Sequence, residues 1–203
     1  MPSGALEIVM GRRSVRRYLS DPVPSDAVER VLEAARWAPS AHNAQPWRFV
    51  VLREQDAKRG LAEAMARAWE RDLQEDGVPR DMREDLARTS VERFTSAPIV
   101  IVACMTMEEM DEYPDERRRE AERAMAAQSA AAAIQNLLLA AHDEGLGACW
   151  FCAPLFCPDA VRGALGIPLE VEPQALITVG KPAEEPEPPP RKASESTVHY
   201  GRW

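Results

Sequence analysis

At 203 residues, with 45% hydrophobic and 29% charged side chains, the chain is long enough to bury one sizeable core and too balanced to be fibrous or disordered. Its net charge of -8 opposes non-specific nucleic-acid binding, which depends on cations that neutralise phosphates. No run approaches the roughly 18 consecutive apolar residues that span a bilayer, and no basic leader precedes an apolar stretch at the start. Cys104, Cys149, Cys152 and Cys157 do not make a disulfide framework. A cytoplasmic protein is expected, with neither a membrane nor a nucleic acid as partner.

Residues 3–12 suit a short helix ending at a basic cluster, Arg12-Arg13-Ser14-Val15-Arg16-Arg17. Pro22, Pro24 and Ser25 mark a turn and a helix start with Ser25 as N-cap, and Val28, Val31, Leu32 and Ala35 continue at helical spacing. Pro39 stops that helix, because the residue before a proline avoids the helical region. A polar segment, Pro39-Ser40-Ala41-His42-Asn43-Ala44-Gln45-Pro46-Trp47, then leads into a strand over 47–52. Residues 56–73 read as a helix with Leu61, Ala62, Met65 and Trp69 on one face. Gly77-Val78-Pro79 breaks it, and 80–94 form a second, charged helix.

Pro98 opens an apolar run over 99–104 that suits a strand covered on both faces. The longest helix spans 117–143. Its first half is charged and its second half apolar nearly all round, so that half is buried as a central or dimer-interface helix. Gly145 is its C-terminal cap. A strand over 148–152, a helix over 158–165 and a strand over 174–179 follow. The proline- and glutamate-rich stretch 183–203 cannot be helix or central strand. It is a disordered terminus or, as Tyr200 and Trp203 near its end suggest, an ordered arm that wraps a neighbouring subunit. Helices first, then strands interrupted by helices, give an α+β or three-layer class.

The cluster Arg12, Arg13, Ser14 and Arg16 can grip a phosphate through guanidinium forks, or it is a solvated basic turn. The segment around Ser40 and Asn43 offers hydroxyl, amide and backbone groups to a flat, hydrogen-bonding ring, or it is an ordinary polar loop. Taken together they suit a ligand with an anionic tail and a planar head, which is the description of flavin mononucleotide (FMN). Cys149-Trp150-Phe151-Cys152 with Cys157 nearby could hold zinc or a redox dithiol, but there is no second CxxC, and the apolar flanks favour a strand core. His42, His142 and His199 are scattered, His142 reading as a helix C-terminal residue. No H-E-x-x-H, G-x-S-x-G, G-x-G-x-x-G or P-loop occurs, and no metal site is expected.

Four pieces in order resemble the nitroreductase-like FMN-dependent oxidoreductases. They are Arg12 to Arg16, the Pro39 to Trp47 segment, Ala133 to Ala141 followed by Gly145, Gly147 and Trp150, and Val179-Gly180-Lys181-Pro182 with Arg191-Lys192 in the tail. Within that family they are most similar to the nitroreductase-fold domain attached to coenzyme F420 biosynthesis ligases. The resemblance implies an α+β three-layer sandwich with a mixed, mostly antiparallel sheet flanked by helices. It implies one domain over 1–203, with 183–203 an extended arm, assembled as an intertwined homodimer with two FMN sites at its interface.

The same resemblance assigns roles. Arg12 matches the phosphate-binding arginine, Arg13 and Ser14 the residues along the ribityl chain and ring edge, and Arg16 the cation near flavin N1 and O2, which stabilises the anionic reduced ring. Pro39, Ser40, Ala41 and Asn43 match the wall contributed by the other subunit. Cys149 and Trp150 match the strand passing flavin N5. Arg191, with Lys192, matches a second phosphate anchor. His42 stands where many members carry a small residue and would face the substrate pocket. The asparagine and lysine that many members carry near the ring have no clear counterpart between residues 60 and 90.

The implied activity is ping-pong electron transfer from NADH or NADPH through flavin N5 to a nitroaromatic, a quinone or another electron-poor acceptor. The cofactor carries that chemistry, so no side-chain acid or base is required. Alternatives on the same fold are reduction of a deazaflavin precursor, dehalogenation, flavin fragmentation, or a flavin- or deazaflavin-binding module without turnover. A helical interaction protein with no ligand is the remaining alternative.

Overall fold

Alternation of side chains along one strand sets the layers. The computed structural model describes residues 4–203. Strands β1 (Trp47–Leu52), β2 (Ile99–Thr106), β3 (Gly147–Phe151) and β4 (Val171–Gly180) form a sheet of order β1-β2-β4-β3, with all neighbouring strands antiparallel. Every residue of β2 is buried, as its unbroken apolar run requires. Ile99, Ile101 and Ala103 enter one core; Val100, Val102 and Cys104 enter the other.

The helices sort to these two faces. The short α1 (Gly4–Gly11) precedes them. On the first face, α2 (Ser25–Arg36) and α5 (Glu116–Asp143) bring Val28, Val31, Ile134 and Leu137 against the sheet. On the second, α3 (Gln55–Glu75), α4 (Arg80–Thr95) and α6 (Pro158–Leu165) bring Leu61, Met65, Phe94 and Val161. The result is the three-layer α+β arrangement, with a β3 edge left open to the segment that follows α1.

Local chemistry accounts for most helix ends. Asp115 caps α5 by accepting a hydrogen bond from the Arg118 N–H at 3.1 Å. Gly145, at φ +70°, ends α5: its N–H donates to the His142 carbonyl, and the Leu146 N–H reaches back to Ala141 at 2.8 Å. Ser25 is not a cap. It is the first helical residue of α2, Pro24 takes the cap position, and no side-chain cap bond forms. Trp69 also departs from the expected buried face of α3, being 39% exposed. Among the described residues α5 is the one helix long and apolar enough by composition to cross a bilayer, yet it lies against α2 and the sheet.

Candidate functional site

The basic segment after α1 runs along the open edge of β3. Ser14 bridges Ala148 in parallel sense, and the Val15 N–H donates to the Ala148 carbonyl at 3.0 Å. Glycine at 147 permits this approach, because a Cβ there would stand 2.7 Å from the Val15 Cβ. Tyr18 fastens the next turn. Its hydroxyl lies 2.5 Å from the Val15 carbonyl and 2.7 Å from Thr178 Oγ1. Burial pushes the Tyr18 phenol above its ordinary value of 10.0, so it stays a neutral donor. Tyr18→Phe leaves those two partners short of a bond and is expected to cost about 1–3 kcal/mol in urea unfolding.

The cations of the segment divide their tasks. Arg13 turns back and donates to the carbonyls of Met10, Gly11 and Arg12 at 2.8–3.0 Å, closing the C-terminus of α1. Arg16 Nη1 donates to the Ser14 carbonyl at 3.3 Å. Arg17 pairs with Glu184 at 2.8 Å, and that carboxylate also accepts from the N–H groups of Arg16 (2.9 Å) and Arg17 (3.2 Å). Arg12 has no side-chain hydrogen bond or ion pair among the described residues. It opens on a cavity of about 390 Å³ lined also by Gly11, Val15, His142 and Gly147. Glu184 lines the same cavity, but its charge is committed to Arg17.

The hydrogen bond from the Arg16 N–H, followed by that from Arg17, holds the Glu184 carboxyl below its ordinary 4.5. A carboxyl depressed in this way contributes stability that is complete above its unfolded value and is lost as pH falls through the lower folded value. The protection factors of the Arg16 and Arg17 amides, exchange rates corrected for the intrinsic rate at each pH, are therefore expected to fall on acidification below about pH 4.5, and Glu184→Gln removes that change in protection.

Cys149, on β3, stands in the field of Arg16, Arg12 and Arg93, but burial outweighs these charges and raises its thiol. Burial also raises Cys157, and lifts Cys104 to about 11. Cys149 is buried within β3, and Cys152 is exposed just beyond its end. Arg93, at the end of α4 and 6.0 Å from the Phe151 ring centroid, is a cation at this site that sequence reasoning missed. It sits in a helix whose charges read as a solvated face. The Trp150 indole Nε1 is buried without a partner among the described residues, a donor on the opposite face of β3 from Cys149.

The second segment has a strained backbone. His42 (φ 55°) and Asn43 (φ 55°) within the 3₁₀ turn Ala41–Asn43, and Gln45 (φ 47°) after it, all occupy the left-handed region. Each costs of order 1–3 kcal/mol and needs its surroundings to hold it. Here the Ala41 N–H donates to Ser129 Oγ at 3.2 Å, the Gln45 N–H donates to Ser40 Oγ at 3.1 Å, and Ala41 and Ala44 pack on Met105, Met110, Ala126 and Ala130. Pro39 and Asn43 are exposed at its ends.

The two segments lie at different levels of α5. Ala41 is tied to Ser129, whereas Gly11 lies against His142. The thirteen residue steps from Ser129 to His142 amount to about 20 Å of helix. One chain thus brings Arg12, Ser14, Arg16, Cys149 and Trp150 together and leaves Pro39, Ser40, Ala41, His42 and Asn43 apart from them. Arg191 and Lys192 lie in the exposed tail, where Arg191 donates only to the Pro189 carbonyl at 3.3 Å. The tail is fastened at its start by the Ala183 N–H to the Arg17 carbonyl at 3.0 Å, and His199 and Trp203 stack at 4.2 Å near its end.

Comparison with known proteins gives the family and the fold. Residues 9–181 match the nitroreductase family. A protein of Thermus thermophilus described as an NADH dehydrogenase is 34% identical, over 92% of this chain and 91% of its own. One from Methanothermobacter thermautotrophicus, described as an NADH dehydrogenase/NAD(P)H nitroreductase, is 30% identical over 89% and 78%. Among solved structures, a protein from Desulfovibrio desulfuricans described as a nitroreductase in complex with FMN is 29% identical, covers 100% of this chain and 99% of its own, and superposes with a TM-score of 0.74. The chain belongs to the nitroreductase family.

Proposed function

We propose that this oxidoreductase is a homodimeric, cytoplasmic FMN enzyme that takes electrons from NADH or NADPH and passes them to a nitroaromatic, a quinone or another electron-poor acceptor. The observation that carries this reading is the unpaired Arg12 guanidinium at the mouth of a cavity floored by Gly147, with Arg16 and Arg93 converging on the adjacent Cys149. The donor set fits FMN: a guanidinium without a partner among the described residues for the phosphate, and further cations for a ring that gains negative charge.

When bound, FMN supplies the hydride chemistry. The chain's own residues bind and orient it. Arg12 holds the phosphate, with Arg191 and Lys192 of the tail folding over it. Ser14 and the Arg13 backbone border the ribityl chain, and Arg13 fixes the turn from which Arg12 projects. Arg16, with Arg93 behind it, favours the anionic ring electrostatically. Cys149 and Trp150 hold the β3 backbone beside it. Because Pro39, Ser40, Ala41 and Asn43 lie about 20 Å away along α5, they line the site of a second copy, and His42 faces that copy's acceptor. The 183–203 arm wraps the same neighbour.

Steady-state oxidation of NADH or NADPH with a nitroaromatic or a quinone tests the reading. Parallel double-reciprocal lines are expected, since donor and acceptor react in turn. A bound flavin that neither nucleotide reduces would show instead a binding module without turnover.

A further inference from the structure

Away from the Arg12 cavity, three ligand-type side chains from three separate segments converge. His42 Nε2 lies 3.5 Å from Glu122 Oε1 and 4.0 Å from Asp111 Oδ2, and the three groups' ligand atoms all fall within 4.8 Å of one another. Glu122 is 3% exposed, and its Oε2 has no hydrogen-bond partner among the described residues. The nearby cations do not neutralise it: Arg119 pairs with Glu116, and Arg123 with Glu172. Asp111 and Glu122 line a cavity of about 460 Å³ to which Glu112 and Glu120 add further carboxylates.

A buried carboxylate with one bare oxygen is costly unless a cation or proton completes it. The geometry favours a cation. A tetrahedral ion with bonds of about 2.0–2.2 Å sets its ligand atoms roughly 3.4 Å apart. The His42–Glu122 separation of 3.5 Å meets that figure, and the exposed Asp111 carboxylate, 4.0 Å from His42 Nε2, would have to close in by roughly 0.6 Å. One imidazole with two carboxylates suits the zinc class of ions, whereas magnesium and calcium prefer oxygen throughout.

We propose that His42, Asp111 and Glu122 bind a single divalent transition-metal ion of the zinc class, with a fourth position open to water from the cavity. The ion ties the strained 3₁₀ turn and the connection between β2 and α5 to the first third of α5. None of its ligands touches the Arg12 cavity of its own chain, and the proposal rests on no flavin assignment; its one shared residue is His42, placed above toward the acceptor of a second copy.

The test uses full-length protein stripped with a chelator and titrated with Co²⁺. The expected result is one Co²⁺ per chain, visible ligand-field bands and a raised melting temperature. Asp111→Asn and Glu122→Gln should each weaken binding tenfold or more, about 1.4 kcal/mol, and the double variant should abolish the bands. Asp111 is exposed, so its variant folds even if a change at Glu122 does not. FMN content measured on the same samples reports separately on the flavin site. Co²⁺ binding unchanged in the double variant, or no uptake by the wild type up to about 1 mM, would overturn the proposal. So would a Glu122→Gln protein that melts higher while Co²⁺ shifts nothing, because the carboxylate would then have no ion to hold.

Discussion

Arg12→Ala should lower FMN affinity roughly ten- to a hundredfold while leaving the fold intact. Hydrogen bonds to a charged partner contribute about 1.5–3 kcal/mol when removed, and each 1.4 kcal/mol is tenfold in affinity. Arg12 has no competing partner among the described residues, so its whole fork is available to a phosphate. The neighbouring Arg13 provides the contrast. Its Nη1 already serves the carbonyls of Met10, Gly11 and Arg12. Arg13→Ala should therefore loosen α1 and change affinity far less. Fluorescence titration of apoprotein with FMN, run beside thermal melting, separates the two. Equal losses of affinity in both variants would show that the cluster acts as diffuse charge.

Gly147→Ala should damage both stability and the site. The added Cβ would stand 2.7 Å from Val15 Cβ, 2.8 Å from Cγ1 and 2.9 Å from Cγ2. These are branch atoms of a 6%-exposed valine and have little room to yield. Overpacking of this kind costs about 1–3 kcal/mol. The easiest relief is to push the Ser14–Val15 stretch off the β3 edge, which breaks the Val15 N–H bond to Ala148 and moves Arg12 and Arg16. The variant should unfold at lower urea and retain less FMN. Adding Val15→Ala should restore part of both. If the single variant matches the wild type in urea midpoint and flavin content, the close approach of the two segments is wrong.

Much of the layering was legible in the chain. The apolar run after Pro98 and the apolar second half of α5 specify burial whatever their neighbours do, so both elements were found with ends within two residues. The strand over 47–52 was placed by the proline before it and the branched residues within it. What failed was local chemistry decided by tertiary surroundings. Ser25 is a strong cap by type, yet Pro24 holds the cap position and Ser25 is already the first helical residue. Trp69 follows helical spacing, yet α3 turns it outward.

The candidate site divides in the same way. Arg12 to Arg16 stood out because a dense basic run is rare in a chain of net charge -8. Arg93 did not, since its contact with Phe151 depends on how α4 meets β3. Nor did the strain at His42, Asn43 and Gln45, because none is glycine. The trio of His42, Asp111 and Glu122 has no sequence spacing at all; only the packing of the 3₁₀ turn on α5 assembles it.

The most direct test of the account is the absorption spectrum of the purified protein read with its mass in solution. A flavin band near about 450 nm, at one FMN per chain, on a particle of twice the 22.6 kDa chain mass is the expected result. A colourless monomer that stays colourless after incubation with excess FMN would contradict it.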